Sequence, residues 1–451
     1  MGRLFGTDGV RGVANAELTA PLAFALGRAL AARLAAGGVD GPVLVGRDTR
    51  ISGDLLESAL TAGVLSTGRD VVPLGIVPTP AVAYLSRNWS AAGGAMISAS
   101  HNPVADNGIK FFGADGFKLT DAEEDEIARD VARILAAGDG ADGLPQPTGA
   151  GVGRLVQRAD PLAPYLDFLC ACGEALGGLK VVIDCGNGAA YQASPQALRR
   201  LGAEVIVLNA EPDGTNINVD CGSTHPEVAQ RAVIEHGADV GLAHDGDADR
   251  LIAVDETGGL VDGDHIMAIC ALERLRSGDL PGRAIACTVY SNLGLHKAIE
   301  AAGGRVVETP NGDRYVLEAM RSGNLAIGGE QSGHLIFLEH NTTGDGPLSA
   351  IQLLGALKRS GVPLSQLAAC MPTYPQVLKN VRVRDKSALA QNGRVAAVKA
   401  EIEAALAGRG RLLLRTSGTE PVVRVMVEGP ERAEVEALAG RLAQVVAEEL
   451  A

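Results

Sequence analysis

Aromatic side chains are nearly missing from this chain: seven Phe, six Tyr and one Trp make up 3% of 451 residues. Any core must therefore be assembled from Ala, Val, Leu and Ile, which a hydrophobic content of 46% supplies. An excess of positive charge is missing too. The 40 Lys and Arg face 54 Asp and Glu, for a formal charge of −14. That balance argues against nucleic acid as a partner, because phosphate attraction needs a basic surface. A locally basic pocket for a single phosphate remains compatible with it. No apolar run reaches the roughly 18 residues that span a bilayer, since Arg28 and Arg33 interrupt the best candidate. No membrane partner is expected. The start, MGRLFGTDGV, lacks a charged segment followed by an apolar stretch, so no signal peptide is expected. Cysteine is sparse, seven in all, and the one close pair, Cys170-Ala-Cys172, does not have zinc spacing. These features predict a cytoplasmic chain with reduced, mostly buried thiols. The glycosylation-like triplets at Asn88 and Asn341 are then chance matches.

What the chain does have is a strand–helix alternation. GPVLVGRD leads into the helical SGDLLESALTAGVLSTG and then DVVPLG; LKVVIDCGNG leads into a helix and AEVIVLN; RAIACTVYSN leads into LGLHKAIEAAGG and RVVETP. Three such stretches predict three successive α/β domains with helices flanking mixed sheets. Glycines at 37–38, 202 and 303–304 sit where the helices should end. The Gly/Pro-rich run from Gly138 to Gly153 reads as a linker, with further breaks near 255–259 and 368–375. The tail reads as a small α+β domain. The expected boundaries are 1–153, 154–256, 257–370 and 371–451.

Four polar stretches carry chemistry. GAMISASHNP delivers Ser98, Ser100 and His101 from the end of an apolar, strand-like run. A Ser-His hydrolase dyad is disfavoured, because consecutive side chains of an extended segment point to opposite faces. HDGDADR sets Asp245, Asp247 and Asp249 at alternating positions, where three carboxylates repel unless splayed into water or gathered around a cation. A helix-loop-helix calcium site would need Gly at the sixth place, which is Arg250, and the flanks are strand-like. Three Asp oxygens with open positions suit Mg²⁺ completed by phosphate or water. A phosphorylated Ser100 could supply the missing oxygen, which favours a phosphate carrier over a hydrolase nucleophile. RTSGTEPVVR offers Arg415, Ser417, Gly418, Thr419 and Arg424, either a polar turn or a phosphate cradle. GGEQSGH puts Glu330, Ser332 and His334 on one face of an extended segment. They form a solvated loop, or they hold sugar hydroxyls, with His334 or Lys110 placed for proton transfer. FGTDGVRG sets Asp8 and Arg11 between glycines, a weak signal alone. DCGNGAA lacks the Lys-Ser/Thr of a P-loop and reads as a tight turn into a helix.

In this order SASHNP, DGDADR, GEQSGH and RTSGTEP resemble the motifs of the α-D-phosphohexomutases. The resemblance covers essentially the whole chain, and FGTDGVRG is similar to the bacterial branch acting on amino-sugar phosphates. It implies four domains around a central cleft. It implies a phosphorylated Ser100 that joins Asp245, Asp247 and Asp249 as Mg²⁺ ligands. Glu330 and Ser332 would bind the sugar, and Arg415, Ser417, Gly418, Thr419 and Arg424 its phosphate. Arg11, His101, Lys110 and Arg250 would line the reaction centre, with Lys110 and His334 as candidate proton-transfer groups. ETPNGDRYV would orient the substrate through Thr309, Gly312 and Asp313, although its Pro310-Asn311 departs from the family pattern. The implied reaction interconverts glucosamine 6-phosphate and glucosamine 1-phosphate for cell-wall precursor synthesis. A bound 1,6-bisphosphate is the intermediate, and a hexose bisphosphate serves as activator. A glucose or mannose phosphate mutase of the same fold is the closest alternative. A Mg²⁺-dependent phosphatase and a non-catalytic sugar-phosphate binder are alternatives of other classes. The expected partner is a phosphorylated amino sugar, and the family is compatible with a homodimer.

Overall fold

The alternation of strand and helix forms four separate sheets in the computed structural model, which describes residues 3–6, 8–138, 142–417 and 421–450. The first sheet holds β1 (Val10–Val13), β2 (Val43–Arg47), β3 (Val71–Ile76), β4 (Gly93–Ile97) and β5 (Asp106–Gly113), in the order β1-β5-β4-β2-β3. The second holds β6 (Lys180–Asp184), β7 (Glu204–Leu208), β8 (Val240–Ala243), β9 (Ile252–Asp255) and β10 (Leu260–Val261), in the order β10-β9-β8-β6-β7. The third holds β11 (Ala284–Thr288), β12 (Arg305–Thr309), β13 (Ile327–Gly329) and β14 (Leu335–Phe337), in the order β12-β11-β13-β14.

One plan repeats in all three. A first strand (β2, β6, β11) lies parallel between a second (β3, β7, β12) and a third (β4, β8, β13). An antiparallel strand (β5, β9, β14) then pairs with the third. The third strands are fully buried, as parallel strands covered on both faces must be. Each connection from the third strand to its antiparallel neighbour carries one of the polar motifs read above. Residues 98–105 hold Ser100, residues 244–251 the three aspartates, and residues 330–334 the Glu-Ser-His stretch.

Two local expectations change. The helix expected directly after DCGNGAA begins only at Ala193, because residues 185–192 form turns. β10 pairs with β9, so the second sheet extends past residue 256.

Apolar packing distinguishes the parts. Met96 and Phe112 of the first sheet, Leu166 and Leu242 of the second region, and Ile266, Leu335 and Leu348 of the third belong to one continuous buried cluster. The fourth sheet, β15 (Gln376–Arg382), β16 (Arg411–Thr416) and β17 (Val422–Glu428), is antiparallel in the order β15-β17-β16. It packs with helices Gly393–Leu406 and Arg432–Leu450 into a core of its own. Among the described residues all seven cysteines are unpaired, and no helix is long and apolar enough to cross a membrane.

Candidate active site

The serine loop is over-determined by a buried ion pair that the motifs did not reveal. At the end of β2, Asp48 and Arg50 are fully buried, with Arg50 Nε 2.9 Å from Asp48 Oδ2. The other end of the Arg50 guanidinium donates to the carbonyls of Ser100 at 2.9 Å and Asn102 at 2.7 Å, and also to those of Pro103 and Asp106. Asp48 accepts from Ser98 Oγ at 2.6 Å, and Ser98 Oγ in turn accepts from the Ser100 amide at 2.9 Å. Burial holds the Asp48 carboxyl above its ordinary range despite Arg50 and Ser98. So framed, Ser100 adopts φ 54°, a left-handed conformation that costs a non-glycine residue on the order of 1–3 kcal/mol. The turn aims Ser100 Oγ at Asp245 Oδ2, to which it donates at 2.5 Å. It also brings His101 Nδ1 to 3.3 Å from Ser100 Oγ. Ser100 and His101 therefore do not diverge as an extended segment would require. The serine hydroxyl donates its hydrogen bond to Asp245, so the pair still does not form a hydrolase dyad.

The aspartate loop meets Ser100 across the boundary between the first two domains. A Cβ on Gly246 would lie 2.6 Å from the Ser100 carbonyl oxygen, so only glycine lets the loops approach this closely. Asp245, Asp247 and Asp249 are buried, with one carboxylate oxygen of each within 4.8 Å of the others. The flanking segments are strands β8 and β9, which rules out the helix-loop-helix calcium arrangement. Asp247 Oδ2 accepts from Lys110 Nζ at 2.9 Å and Thr79 Oγ1 at 2.6 Å. Oδ1 of Asp247 and Oδ1 of Asp249 are buried with no hydrogen-bond partner among the described residues. Two orphaned carboxylate oxygens beside a third carboxylate fit a hard divalent cation. Burial, Asp249 and Asp247 hold the Asp245 carboxyl well above its ordinary range. Burial would raise Asp247 too, but Lys110 and the Thr79 hydroxyl bring it below that range.

Cations surround the carboxylates. Burial would lower Lys110, yet Asp247, Asp8 and Asp249 raise it, so its ammonium stays charged. Arg11 pairs with Asp8. Arg250 Nε lies 3.8 Å from Asp249. Its pKa is raised because Asp245, Asp249, Glu330 and Asp247 outweigh burial. His101 is pushed down to about 4 by burial and by Arg250 and Arg11.

The GGEQSGH segment is a tight turn and not an extended run. The Gly333 amide bonds to the Glu330 carbonyl at 3.0 Å, and the Glu330 amide to the His334 carbonyl at 3.0 Å. Ser332 is therefore exposed and donates to Glu330 at 3.2 Å, while His334 turns inward. The three side chains do not share a face. Neither ring nitrogen of buried His334 has a hydrogen-bond partner among the described residues. Nearby, Thr309 is buried with its hydroxyl on the carbonyls of Cys287 (3.2 Å) and Pro310 (3.0 Å). Gly312, at φ 128°, turns the chain into helix Asp313–Gly323.

In the fourth domain Arg415 and Arg424 stand directly opposite each other on β16 and β17, a like-charge pairing that an anion relieves. Arg415 Nε donates to the Tyr290 hydroxyl at 2.8 Å, with its guanidinium 4.9 Å from the Tyr290 ring centre. The buried Ser417 offers its carbonyl to Lys386 at 2.8 Å. Gly418 and Thr419 lie outside the described residues.

This layout, with a left-handed serine on a carboxylate cluster inside a three-fold α/β repeat and a small fourth domain presenting arginines, defines a class. Models of the phosphoglucomutase/phosphomannomutase alpha/beta/alpha domains I, II and III match residues 2–137, 163–259 and 262–374, and that of the C-terminal domain matches 378–445. The chain belongs to this family. It is 56% identical over 456 residues to a phosphoglucosamine mutase of Heliobacterium modesticaldum, covering 99% of each chain. It is likewise 56% identical over 446 residues to a phosphoglucosamine mutase of Moorella thermoacetica, covering 99% of each. Among solved structures, a phosphoglucomutase/phosphomannomutase family protein of Burkholderia thailandensis superposes with a TM-score of 0.82. That protein is 25% identical, over 99% of this chain and 98% of its own.

Proposed function

We propose that the protein interconverts glucosamine 6-phosphate and glucosamine 1-phosphate, with Ser100 carrying the phosphoryl group. One observation carries the reading: the Ser100 hydroxyl is held on Asp245 at 2.5 Å beside a buried three-carboxylate cluster. Asp245, Asp247 and Asp249, with an oxygen of phosphorylated Ser100, would hold Mg²⁺. Bound there, the ion would polarise the phosphoryl oxygens and offset their charge.

A free sugar hydroxyl attacks the phosphorus of phospho-Ser100. A new P–O bond forms to the sugar as the bond to Ser100 Oγ breaks, and the product is a bound 1,6-bisphosphate. Lys110, an ammonium donor 2.9 Å from Asp247 Oδ2, is the candidate to protonate the departing serine oxygen. His334, with both ring nitrogens free of hydrogen bonds, is placed to take the proton of the attacking hydroxyl. Glu330 and Ser332 hold sugar hydroxyls. The bisphosphate then reverses and returns its other phosphate to Ser100, so a remote site must accept a phosphate on either end of the sugar. Arg415 and Arg424, with Ser417, serve that need because they recognise a phosphate and not the ring around it. A hexose bisphosphate would charge an unphosphorylated enzyme by the same route.

The experiment is a coupled assay of the purified protein with glucosamine, glucose and mannose 6-phosphates side by side. Fastest turnover of glucosamine 6-phosphate supports the reading. Preference for glucose or mannose phosphate reassigns the substrate, and release of free phosphate in place of 1-phosphate contradicts a mutase.

A further inference from the structure

Lys110 and Lys118 come from one strand and its return. Lys110 lies on β5, and Lys118 forms an antiparallel bridge back to Phe112 of the same strand. Asp8 sits between the two ammonium groups. Its Oδ2 is 3.1 Å from Lys110 Nζ, and its Oδ1 accepts from Lys118 Nζ at 2.9 Å. Asp8 reaches them because Gly9, at φ 82°, lies flat on β5: a Cβ there would meet the Ile109 carbonyl oxygen at 2.3 Å.

From Asp8 the charges continue in both directions. Lys118 Nζ donates to Asp313 Oδ2 at 2.5 Å, crossing into the third domain. Lys110 Nζ reaches Asp249 Oδ2 at 3.6 Å and Asp247 Oδ2 at 2.9 Å, crossing into the second. His334 Nε2 closes the circuit, 3.7 Å from Asp313 Oδ2 and 3.8 Å from Asp249 Oδ2. Asp313, Lys118, Asp8, Lys110, Asp249 and His334 form a ring drawn from three domains. Five of its members belong to the substrate loop, the proton-transfer pair, the carboxylate cluster or the N-terminal FGTDGVRG motif. Lys118 belongs to none of them.

We propose that Lys118 is a positioning residue for phosphoryl transfer. It touches neither Ser100 nor the carboxylate cluster. It acts through Asp8, which it shares with Lys110, and through Asp313 at the head of the substrate-orienting loop. Its ammonium gives both carboxylates a second counterion. With it gone, Asp8 would turn its whole charge on Lys110 and Arg11, drawing Lys110 away from Asp247. Asp313 would be left facing His334 alone. Lys118 is not needed to join the domains. Asn341 bonds the Pro80 carbonyl at 3.2 Å and Arg87 the His340 carbonyl at 2.9 Å, while Arg314 pairs with Asp121. The first and third domains also share the continuous apolar cluster. The Lys118–Asp313 bridge lines a cavity of about 500 Å³ between these domains, so solvent reaches the place a shorter side chain would leave.

This role rests on the mutase reading, and one experiment separates the two. Wild type, Lys118→Met, Lys118→Gln, Lys118→Arg and, as an exposed inter-domain control, Arg87→Ala are assayed in both directions. Melting temperature and the fraction of phosphorylated Ser100 are measured on the same samples. Lys118→Met and Lys118→Gln should lose on the order of thirty-fold in kcat with KM changed less than about three-fold. Phosphoserine content and melting should stay close to wild type. Lys118→Arg, which restores the charge, should recover to within about five-fold, and Arg87→Ala should match wild type. If both neutral variants stay within about two-fold of a wild type that turns over, the Lys118 role falls alone. It falls likewise if Lys118→Arg is no better than Lys118→Met, or if lost activity only follows lost folded protein. A wild type without mutase activity overturns both proposals.

Discussion

The first three domains and the fourth are joined to the rest of the molecule in opposite ways. The three α/β domains share one apolar cluster, with Met96, Leu242 and Leu348 as contributors from each. Burying each such side chain contributes about 1.5–3 kcal/mol, so these domains cannot separate without exposing a common core. The fourth keeps its own core around Ile402, Val425 and Leu442 and meets the third mainly through polar contacts. Asn292 brackets the connecting chain, donating to the Tyr374 carbonyl at 2.9 Å and accepting from its amide at 3.0 Å. Arg411 bridges Glu308 at 3.1 Å and Glu428 at 2.6 Å. Arg415 rests on Tyr290. Polar contacts of this kind exchange with water at small net cost. The proposed reacting groups thus sit on domains that share a core, and the arginines proposed to hold phosphate sit on a domain with a core of its own. The proposed mechanism would use both: fixed chemistry at Ser100, and a phosphate clamp that releases while the bisphosphate reverses.

The largest expected effect lies in the rigid half. Ser100→Ala should lose roughly a thousand-fold or more in kcat, because the transferring group has no carrier, and intact mass should show no phosphorylated form. Asp247→Asn should follow, at about a hundred-fold or more, since it removes the charge that both Lys110 and a metal require. Exhaustive chelation should abolish turnover, and Mg²⁺ should restore it. Activity surviving chelation would reduce the three aspartates to a structural cluster.

The movable half should respond more gently. Charge-assisted hydrogen bonds are worth about 1.5–3 kcal/mol each, so Arg415→Ala should cost roughly ten- to a hundred-fold in kcat/KM. The loss should be equal in the two directions, because the overall equilibrium ties the two efficiencies together. Free bisphosphate should appear in solution as the clamp fails. Tyr290→Phe removes only the hydroxyl that Arg415 Nε uses, and about two- to five-fold in KM is expected. An effect of Tyr290→Phe as large as that of Arg415→Ala would mean that the cradle is pre-set and does not move.

The smallest effect concerns stability near the junction of the third and fourth domains. Asp264 is fully buried and accepts from the Asn292 amide at 2.6 Å. Burial, with Asp262 beside it, pushes its carboxyl up to about 7. In the unfolded chain it ionises near 4, so between about pH 4 and pH 7 the folded state holds the proton that the unfolded state has released. Its contribution therefore favours folding most below about pH 4 and is lost as pH rises toward 7. Asp264→Asn should flatten this slope, by a few degrees of melting temperature between pH 5 and 7.5.

Much of this contrast is readable from the chain alone, and the unread part has a physical reason. Ser100 and the three aspartates are legible because each chemical cluster is contiguous and follows an apolar strand. Asp48 and Arg50 are not, since their partners lie about fifty residues away. Their one signal is a charged pair at the end of the buried β2. Lys118 is hidden for the same reason: Asp8 and Asp313 are distant in the chain and come from two domains. The turn at 330–333 is not legible, because alternating polar residues look extended until Gly333 is seen to close a hairpin. Arg415 and Arg424 are legible as cations, whereas their facing register and the Tyr290 contact come from the pairing of β16 with β17.

The claim beneath all of this is that Ser100, and no other group, hands its phosphoryl to the sugar. It is tested by mixing the isolated phosphorylated enzyme once with glucosamine 6-phosphate. The mass of the Ser100 peptide and the appearance of bisphosphate are followed together. The structure predicts that Ser100 loses its phosphoryl group at least as fast as steady-state turnover, with bisphosphate formed in equal amount. Turnover that leaves the Ser100 phosphoryl in place, or that yields free phosphate instead of bisphosphate, would contradict it.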